Sequence, residues 1–234
     1  MKKALVIGAS SGIGRAICHR FTDAGYDVYG TVRDVTVSLD FINEHVQLDL
    51  TNTESFGQFC VDIESLGKFD AVIFNAGIIE PQPFGEQESI NIDDMFCVNT
   101  LSPLKLLNKL IKEQLINNAG KVVFIGSIAS VVSKPTSVGY SASKSALVGA
   151  IKALSLSLAE QNILVNMVSP GPTKTAMLDK NLSLQQQQDI INTIPLKRLA
   201  KAEEVAQVVY FMGSEMNTYI TGQNIILDGG FTSR

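Results

Sequence analysis

The stretch that decides the fold is Lys3-Ala4-Leu5-Val6-Ile7-Gly8-Ala9-Ser10-Ser11-Gly12-Ile13-Gly14. Its short apolar run is bounded by glycine and predicts a buried strand over Lys3–Ile7. The glycines let the backbone turn tightly, and a helix is predicted to begin at Gly12. Such a turn can bind a pyrophosphate, because the free N–H groups of the helix N-terminus favour an anion. The spacing is GxxxGxG, and a plain tight turn is the alternative at this point.

The rest of the chain repeats this alternation of short apolar runs and helical segments, which indicates βαβ units. We predict a doubly wound, Rossmann-type α/β fold, with helices on both faces of a seven-stranded, mainly parallel sheet and residues 1–234 as a single domain. The predicted strands are Lys3–Ile7, Asp27–Val32, His45–Leu48, Ala71–Phe74, Lys121–Ile125, Ile163–Val168 and Asn224–Leu227. The predicted helices are Gly12–Ala24, Thr53–Leu66, Asn91–Asn117, Ser141–Gln161 and Ala202–Met212.

Composition narrows the class of protein. The 234 residues are 45% hydrophobic and 18% charged, which is ordinary for a globular protein, and the net charge of -4 offers no basic surface to nucleic acid. No run of 18 apolar residues predicts a membrane span, and no secretory leader is recognised, so a cytoplasmic location is expected. The three cysteines and two histidines lack the spacing of disulfide or metal sites, and no metal is expected.

The motif Tyr140-Ser141-Ala142-Ser143-Lys144 carries the strongest chemical signal. Residues four apart on a helix share one face, so the ammonium group of Lys144 is expected to stabilise the phenolate and lower the pKa of Tyr140. A phenol tuned in this way suits general acid or base catalysis. Ser127, at the end of the fifth predicted strand, is placed to hydrogen-bond a substrate oxygen as its charge develops. These residues predict a carbonyl/alcohol site, and Ser127 has no G-x-S-x-G context that would indicate a hydrolase.

The end of the second predicted strand bears on the choice of cofactor. Arg33 stands where a guanidinium group can form paired hydrogen bonds with the 2′-phosphate of NADP, and no acidic residue ends the strand. We therefore favour NADP(H), with NAD(H) as the alternative because Asp34 follows immediately.

With these motifs in order, the chain resembles the short-chain dehydrogenase/reductase family from Lys2 to Gly230. The resemblance rests on the glycine turn, Asp49, Asn75-Ala76-Gly77, Asn99, Ser127, Tyr140, Lys144 and Pro170-Gly171. It implies that the catalytic residues are Asn99, Ser127, Tyr140 and Lys144. It also implies cofactor contacts from Gly8, Ser10, Ser11, Gly12, Ile13, Gly14, Arg33, Asp49, Leu50, Asn75, Ala76, Gly77, Tyr140, Lys144, Pro170, Gly171, Thr173 and Thr175.

The sequence departs from that family's pattern at Ile7, where a Thr is usual, and at Phe74, where an Asn is usual. Both losses bear on local rigidity rather than on catalysis. Asn118-Ala119-Gly120 repeats the tripeptide at Asn75, but it is interpreted as a turn that caps a helix. The segment Lys174–Lys197 follows the sixth strand and is a candidate substrate lid, within which Leu182–Asn192 reads as a solvated helix.

The resemblance implies an oxidoreductase that reduces a ketone to a secondary alcohol, with Tyr140 as general acid. Its C-terminal part looks most like 3-oxoacyl-[acyl-carrier-protein] reductases, so the expected substrate is a small carbonyl or alcohol compound, carried or not by a carrier protein. A reductase or dehydrogenase for a sugar, sugar nucleotide or polyol, and a non-catalytic dinucleotide sensor, are the alternatives. The wide apolar faces of the two long helices favour a homo-oligomer, a tetramer or dimer.

Overall fold

The computed structural model describes residues 1–33, 39, 42–86 and 89–233, so Asp34 lies outside the described residues. The strands are β1 Lys3–Ile7, β2 Asp27–Val32, β3 Glu44–Gln47, β4 Phe69–Phe74, β5 Ile116–Ile125, β6 Leu164–Pro170 and β7 Asn224–Leu227. The helices are α1 Gly12–Asp23, α2 Phe56–Glu64, α3 Ser89–Phe96, α4 Ser102–Lys112, α5 Val138–Ser157, α6 Ala176–Asn181, α7 Leu184–Thr193 and α8 Ala202–Gly213.

All seven strands form one sheet in the order β3-β2-β1-β4-β5-β6-β7, and every pair is parallel. This confirms the doubly wound fold. The strand order reverses between β1 and β4, and ligands of such sheets bind in the crevice outside the carboxyl ends at that point. The glycine turn after β1 lies there.

The core has two layers, one on each face of the sheet. On one face, α2, α4 and α5 cover the strands with fully buried side chains such as Ile63, Leu106 and Ile151. On the other, α1 and α8 pack through Phe21 and Val209. Because both faces are covered, central strands such as β1 and β4 are mostly apolar, as the sequence pattern indicated, whereas the edge strand β3 is mostly polar.

The prediction of one long helix over Asn91–Asn117 is wrong. The structure has α3 and α4 with a π-helical turn, Cys97–Leu101, between them. Helix α4 ends at Lys112, and Gln114 adopts a left-handed φ of 55°. The apolar spacing seemed to continue through Leu115 and Ile116, but Ile116 is already paired with β4.

The interpretation of Asn118-Ala119-Gly120 as a helix cap is also wrong, because the tripeptide lies inside β5. Between the pairs Phe69↔Ile116 and Ala71↔Lys121 the strand β5 carries an irregularity, with Ala119 at a φ of 63°. A Cβ on Gly120 would lie 2.7 Å from the Ile116 side chain and 2.8 Å from the Asn117 carbonyl oxygen. The glycine is needed for close packing at a bulge rather than for ending a helix.

Helix α5 begins at Val138 instead of Ser141, so the whole motif from Tyr140 to Lys144 is helical. Within the part of the chain that the structure describes, none of the helices has the length and apolar character needed to cross a bilayer.

Candidate active site

The glycine turn is tied to the ends of β2 and β4. The Gly8 N–H donates to the Thr31 hydroxyl oxygen at 2.9 Å, and the Asn75 side-chain amide donates to the Gly8 carbonyl oxygen at 2.7 Å. Thr31 was not singled out in the sequence, although a hydroxyl at a strand end beside a glycine turn is a usable signal. The hydrogen bond to Thr31 fixes the turn through a side chain, even though Ile7 stands where a Thr is usual. Phe74, the other departure, stacks on Phe124 with ring centroids 4.8 Å apart.

The turn leaves no room for side chains on its inner surface. A Cβ on Gly14 would lie 2.0 Å from the Gly8 carbonyl oxygen and 2.5 Å from the Asn75 side-chain nitrogen. Gly8 has a φ of 88°, and its Cβ would meet the backbone of Ala76 at 2.8 Å. Ser11 precedes α1 without a side-chain capping bond, so it does not cap the first N–H groups of that helix. This cradle fits the pyrophosphate of a dinucleotide.

The second group of predicted cofactor residues lies at the ends of β2 and β3. Arg33 is exposed, and its carbonyl oxygen accepts a hydrogen bond from Gln47. The Asp49 carboxylate accepts from the N–H and the hydroxyl of Thr51 at 2.9 and 2.8 Å. These bonds, with a contribution from Arg33, lower the pKa of Asp49. Leu50 is buried beside it. The structure thus brings Arg33, Asp49 and Leu50 to one end of the crevice.

The opposite wall comes from the residues after β6. Pro170 ends that strand, and the Gly171 N–H donates to the Leu227 carbonyl oxygen at 2.8 Å. The Thr173 hydroxyl donates to the Gly171 carbonyl oxygen at 2.9 Å. Thr175 caps α6, and its methyl group would be 3.2 Å from a Cβ on Gly12. This wall therefore lies directly against the glycine turn.

Tyr140 and Lys144 lie one helical turn apart at the start of α5. The Lys144 ammonium nitrogen is 5.9 Å from the centroid of the Tyr140 ring and donates to the Ile125 carbonyl oxygen at 2.9 Å. Lys144 is only 4% exposed. The amine is thus anchored to the end of β5 beside the tyrosine.

Ser127 lies two residues after the end of β5 and caps the short 3₁₀ turn Ile128–Ser130. Its hydroxyl oxygen accepts from the Ala129 N–H at 3.1 Å, and its carbonyl oxygen accepts from the Ser130 hydroxyl at 2.8 Å. The hydroxyl also lies near enough to the Tyr140 phenol to act on its pKa, which it lowers. Because the Ala129 bond uses only an acceptor site, the Ser127 hydroxyl keeps its proton for an oxygen on the Tyr140 side.

The titration of this pair differs from the sequence-based expectation. Burial raises the pKa of Tyr140, and the nearby Ser127 hydroxyl offsets only part of that rise. The prediction that Lys144 lowers the pKa of Tyr140 below its ordinary value is therefore wrong for this chain without bound ligands. Burial also lowers the pKa of Lys144 to about 8. Desolvation opposes both the phenolate and the ammonium ion, and it is the largest cause of both pKa shifts.

Asn99 lies in the π-helical turn and is fully buried. Its side-chain oxygen accepts from the Ile78 N–H at 2.8 Å, and its amide nitrogen donates to the Ile78 carbonyl oxygen at 2.9 Å and to the Ser143 hydroxyl at 3.1 Å. A Cβ on Gly77 would lie 3.1 Å from the Asn99 side-chain oxygen and 3.4 Å from the Lys144 nitrogen. The four residues predicted to be catalytic are thus brought to one end of the sheet.

The candidate lid contains two helices, α6 and α7, and α7 agrees with the solvated helix predicted over Leu182–Asn192. Over residues 176–193, all of which the structure describes, neither helix contributes a buried residue. Leu184 is 84% exposed, and Met177 is exposed as well.

Known families and proteins match this chain over nearly its whole length. The family described as "Enoyl-(Acyl carrier protein) reductase" matches residues 8–232. The 3-oxoacyl-[acyl-carrier-protein] reductase of Buchnera aphidicola subsp. Schizaphis graminum is 35% identical, over 98% of this chain and 96% of that protein. The protein of the same name from Salmonella typhimurium is 30% identical, with the same shares covered.

Solved structures give the same picture. A short chain dehydrogenase family protein from Francisella tularensis has a TM-score of 0.91 and 27% identity, with both chains covered completely. A blue fluorescent protein from a metagenomic library, solved in complex with NADPH, has a TM-score of 0.91, 26% identity and coverage of 99% and 98%. A 4-hydroxyisoleucine dehydrogenase complexed with NADH has a TM-score of 0.86 and 27% identity, with both chains covered completely.

Proposed function

Because the chain belongs to the short-chain dehydrogenase/reductase family, and is therefore an NAD(P)H-dependent oxidoreductase acting on CH–OH and C=O groups, we propose that it reduces the ketone of a 3-oxoacyl thioester. The observation that carries the proposal is the meeting of Ser127, Tyr140 and Lys144 beside a dinucleotide cradle. The thioester as substrate is supported by the names of relatives that are 30 to 35% identical over nearly their full length.

The residues present fit a bound NADP(H). The glycine turn, together with Ser10, Ser11 and Ile13, would hold the pyrophosphate. Asn75, Ala76 and Gly77 would line the path toward Lys144. Arg33, Asp49 and Leu50 would hold the adenosine end, and Pro170, Gly171, Thr173 and Thr175 would hold the nicotinamide end. When bound, this cofactor supplies the hydride.

Side chains of this protein would transfer the proton that the reaction needs. Ser127 donates a hydrogen bond to the substrate oxygen and orients it, and Tyr140 gives that oxygen a proton. With a pKa of about 8, Lys144 is mostly protonated at neutral pH and favours the phenolate that remains. Asn99 fixes the loop that begins at Ile78 against α5. In the direction of alcohol oxidation, Tyr140 accepts the proton.

Arg33→Ala tests the preference for NADP(H). We expect the ratio of kcat/KM with NADPH to kcat/KM with NADH to fall about ten-fold, because a charge-assisted bond to the 2′-phosphate is lost. The measurement is steady-state kinetics with each cofactor. Arg20→Ala is the matched control, since Arg20 contacts Gln207 and the Tyr210 ring on the other side of α1. An unchanged ratio in Arg33→Ala would reject the assignment.

The substrate class is tested with purified protein and NADPH against 3-oxoacyl thioesters, keto sugars and simple diketones. Turnover of the thioesters at the highest kcat/KM supports the proposal. A higher kcat/KM for keto sugars would reject the thioester and favour a sugar or polyol reductase. NADPH binding without turnover of any carbonyl compound would favour a non-catalytic sensor. The lid role of Lys174–Lys197 belongs to the same proposal, and it is supported by helices α6 and α7, neither of which contributes a buried residue.

A homo-oligomer, dimer or tetramer, is also proposed. Helix α5 exposes a face of mostly small and apolar residues that ends in Leu156, which is 80% exposed. Such a face on a long helix is suited to packing against a second copy. We expect Leu156→Glu to lower the mass measured by light scattering, whereas Val61→Glu, on the exposed side of α2, leaves it unchanged. A monomeric wild type would contradict the proposal.

A further inference from the structure

Ser143 lies within the catalytic motif, yet the proposed mechanism gives it no task. It is completely buried in α5, between Tyr140 and Lys144 in sequence. Its hydroxyl accepts a hydrogen bond from the Asn99 side-chain amide at 3.1 Å and donates one to the Tyr140 carbonyl oxygen at 2.8 Å. One hydroxyl group thus contacts two of the four residues proposed to act in catalysis.

The bonds around Ser143 join three segments of the chain. Asn99 also pairs with the N–H and the carbonyl oxygen of Ile78, in the loop after β4. The neighbouring Thr100 hydroxyl donates to the Ser143 carbonyl oxygen at 2.7 Å. The π-helical turn, the loop at Ile78 and the first turn of α5 are therefore connected through Ser143.

The Ser143 hydroxyl uses both its proton and a lone pair in these bonds, and this fixes its orientation. The hydroxyl has one proton, which goes to the Tyr140 carbonyl oxygen, and a lone pair, which receives the Asn99 N–H. A serine that bonds back to a carbonyl in the preceding turn alters the local path of its helix, and here that turn carries Tyr140. Without the hydroxyl, the amide N–H of Asn99 would lose a buried partner, and its orientation would no longer be fixed from the α5 side.

We propose that Ser143 is a positioning residue that holds Tyr140 and Asn99 in the arrangement needed for proton transfer. Its side chain is fully buried and offers no surface to a ligand, so it acts through the two residues that its hydroxyl joins. This inference rests on the proposed function, because it requires that Tyr140 transfers the proton.

The test compares three variants with the wild type. Ser143→Ala removes the hydroxyl, and Ser143→Cys keeps a similar volume with only a weak hydrogen-bonding group. Ser155→Ala is the matched control, because Ser155 is also buried in α5 and also donates to a carbonyl oxygen three residues earlier, that of Lys152, at 2.8 Å, but lies far along the helix from the site. The readouts are kcat with the best ketone and the dissociation constant of NADPH measured by fluorescence titration.

We expect both Ser143 variants to lose about ten-fold in kcat, because small displacements of reacting groups are costly, while NADPH binds within two-fold of the wild type. Ser155→Ala should keep the wild-type kcat. An unchanged kcat in Ser143→Ala, full recovery in Ser143→Cys, or an equal loss of NADPH binding would overturn the proposal. If Tyr140→Phe is inactive while Ser143→Ala is normal, the role of Ser143 alone falls, whereas an active Tyr140→Phe rejects the proposed function itself.

Discussion

Tyr140→Phe is expected to lower kcat by about 10²- to 10⁴-fold, since this is the contribution that a positioned general acid typically makes. The phenol is the group that would give the substrate oxygen its proton. In the variant, Ser127 can still donate a hydrogen bond to that oxygen but does not replace the proton donor. The ring remains, so packing at the start of α5 is preserved and NADPH should bind as in the wild type. The measurement is stopped-flow oxidation of NADPH, with binding followed separately by fluorescence.

Tyr219→Phe is the control for this experiment. Tyr219 is 94% exposed, outside the residues placed at the site, and its loss of a hydroxyl should leave kcat unchanged. If Tyr140→Phe turned over ketone at a near-normal rate, another group would have to supply the proton and the assignment of Tyr140 would be rejected.

Gly14→Ala is expected to abolish or severely weaken cofactor binding. The new Cβ would lie 2.0 Å from the Gly8 carbonyl oxygen, a contact that only a shift of the backbone can relieve. Overpacking of this kind costs about 1–3 kcal/mol of folding stability. Because the shift opens the turn that receives the pyrophosphate, we expect the dissociation constant of NADPH to rise at least about ten-fold. Isothermal titration and thermal unfolding measure the two effects.

Gly57→Ala separates this effect from the general consequence of adding a methyl group to a helix. Gly57 lies in α2, and its Cβ would meet only the end of the flexible Lys109 side chain, 3.9 Å away. This change should stabilise the protein by about 0.5–1 kcal/mol and leave NADPH binding intact. Normal NADPH affinity in Gly14→Ala would show that the glycine turn is not the cofactor cradle.

The parts of the fold that could be predicted from sequence are those governed by local pattern. Buried parallel strands such as Ala71–Phe74 are continuous apolar runs, so their positions were recognised, and β4 proved only two residues longer at its start. The proximity of Tyr140 and Lys144 follows from helical spacing alone. The meeting of Gly12 with Thr175 follows from the doubly wound topology, which brings the carboxyl ends of distant strands to the same edge of the sheet.

The errors arise where tertiary contacts outweigh local pattern. The π-helical turn at Asn99 has no signature in apolar periodicity, because it is held by the contacts of that side chain with Ile78 and Ser143. The bulge at Ala119 depends on packing between β4 and β5. The pKa of Tyr140 could not be derived from the spacing of a motif, since it depends on how far the surrounding chain excludes water.

The absence of buried residues in α6 and α7, over the fully described span 176–193, has an evolutionary consequence. Mutations in those two helices change no fully buried side chain, so selection for folding acts on them weakly. In the proposed lid role, selection would act on them through ligand fit instead. Under that proposal, descendants of this gene would acquire new substrate preferences through changes in one short surface segment, while the proposed catalytic residues stay the same.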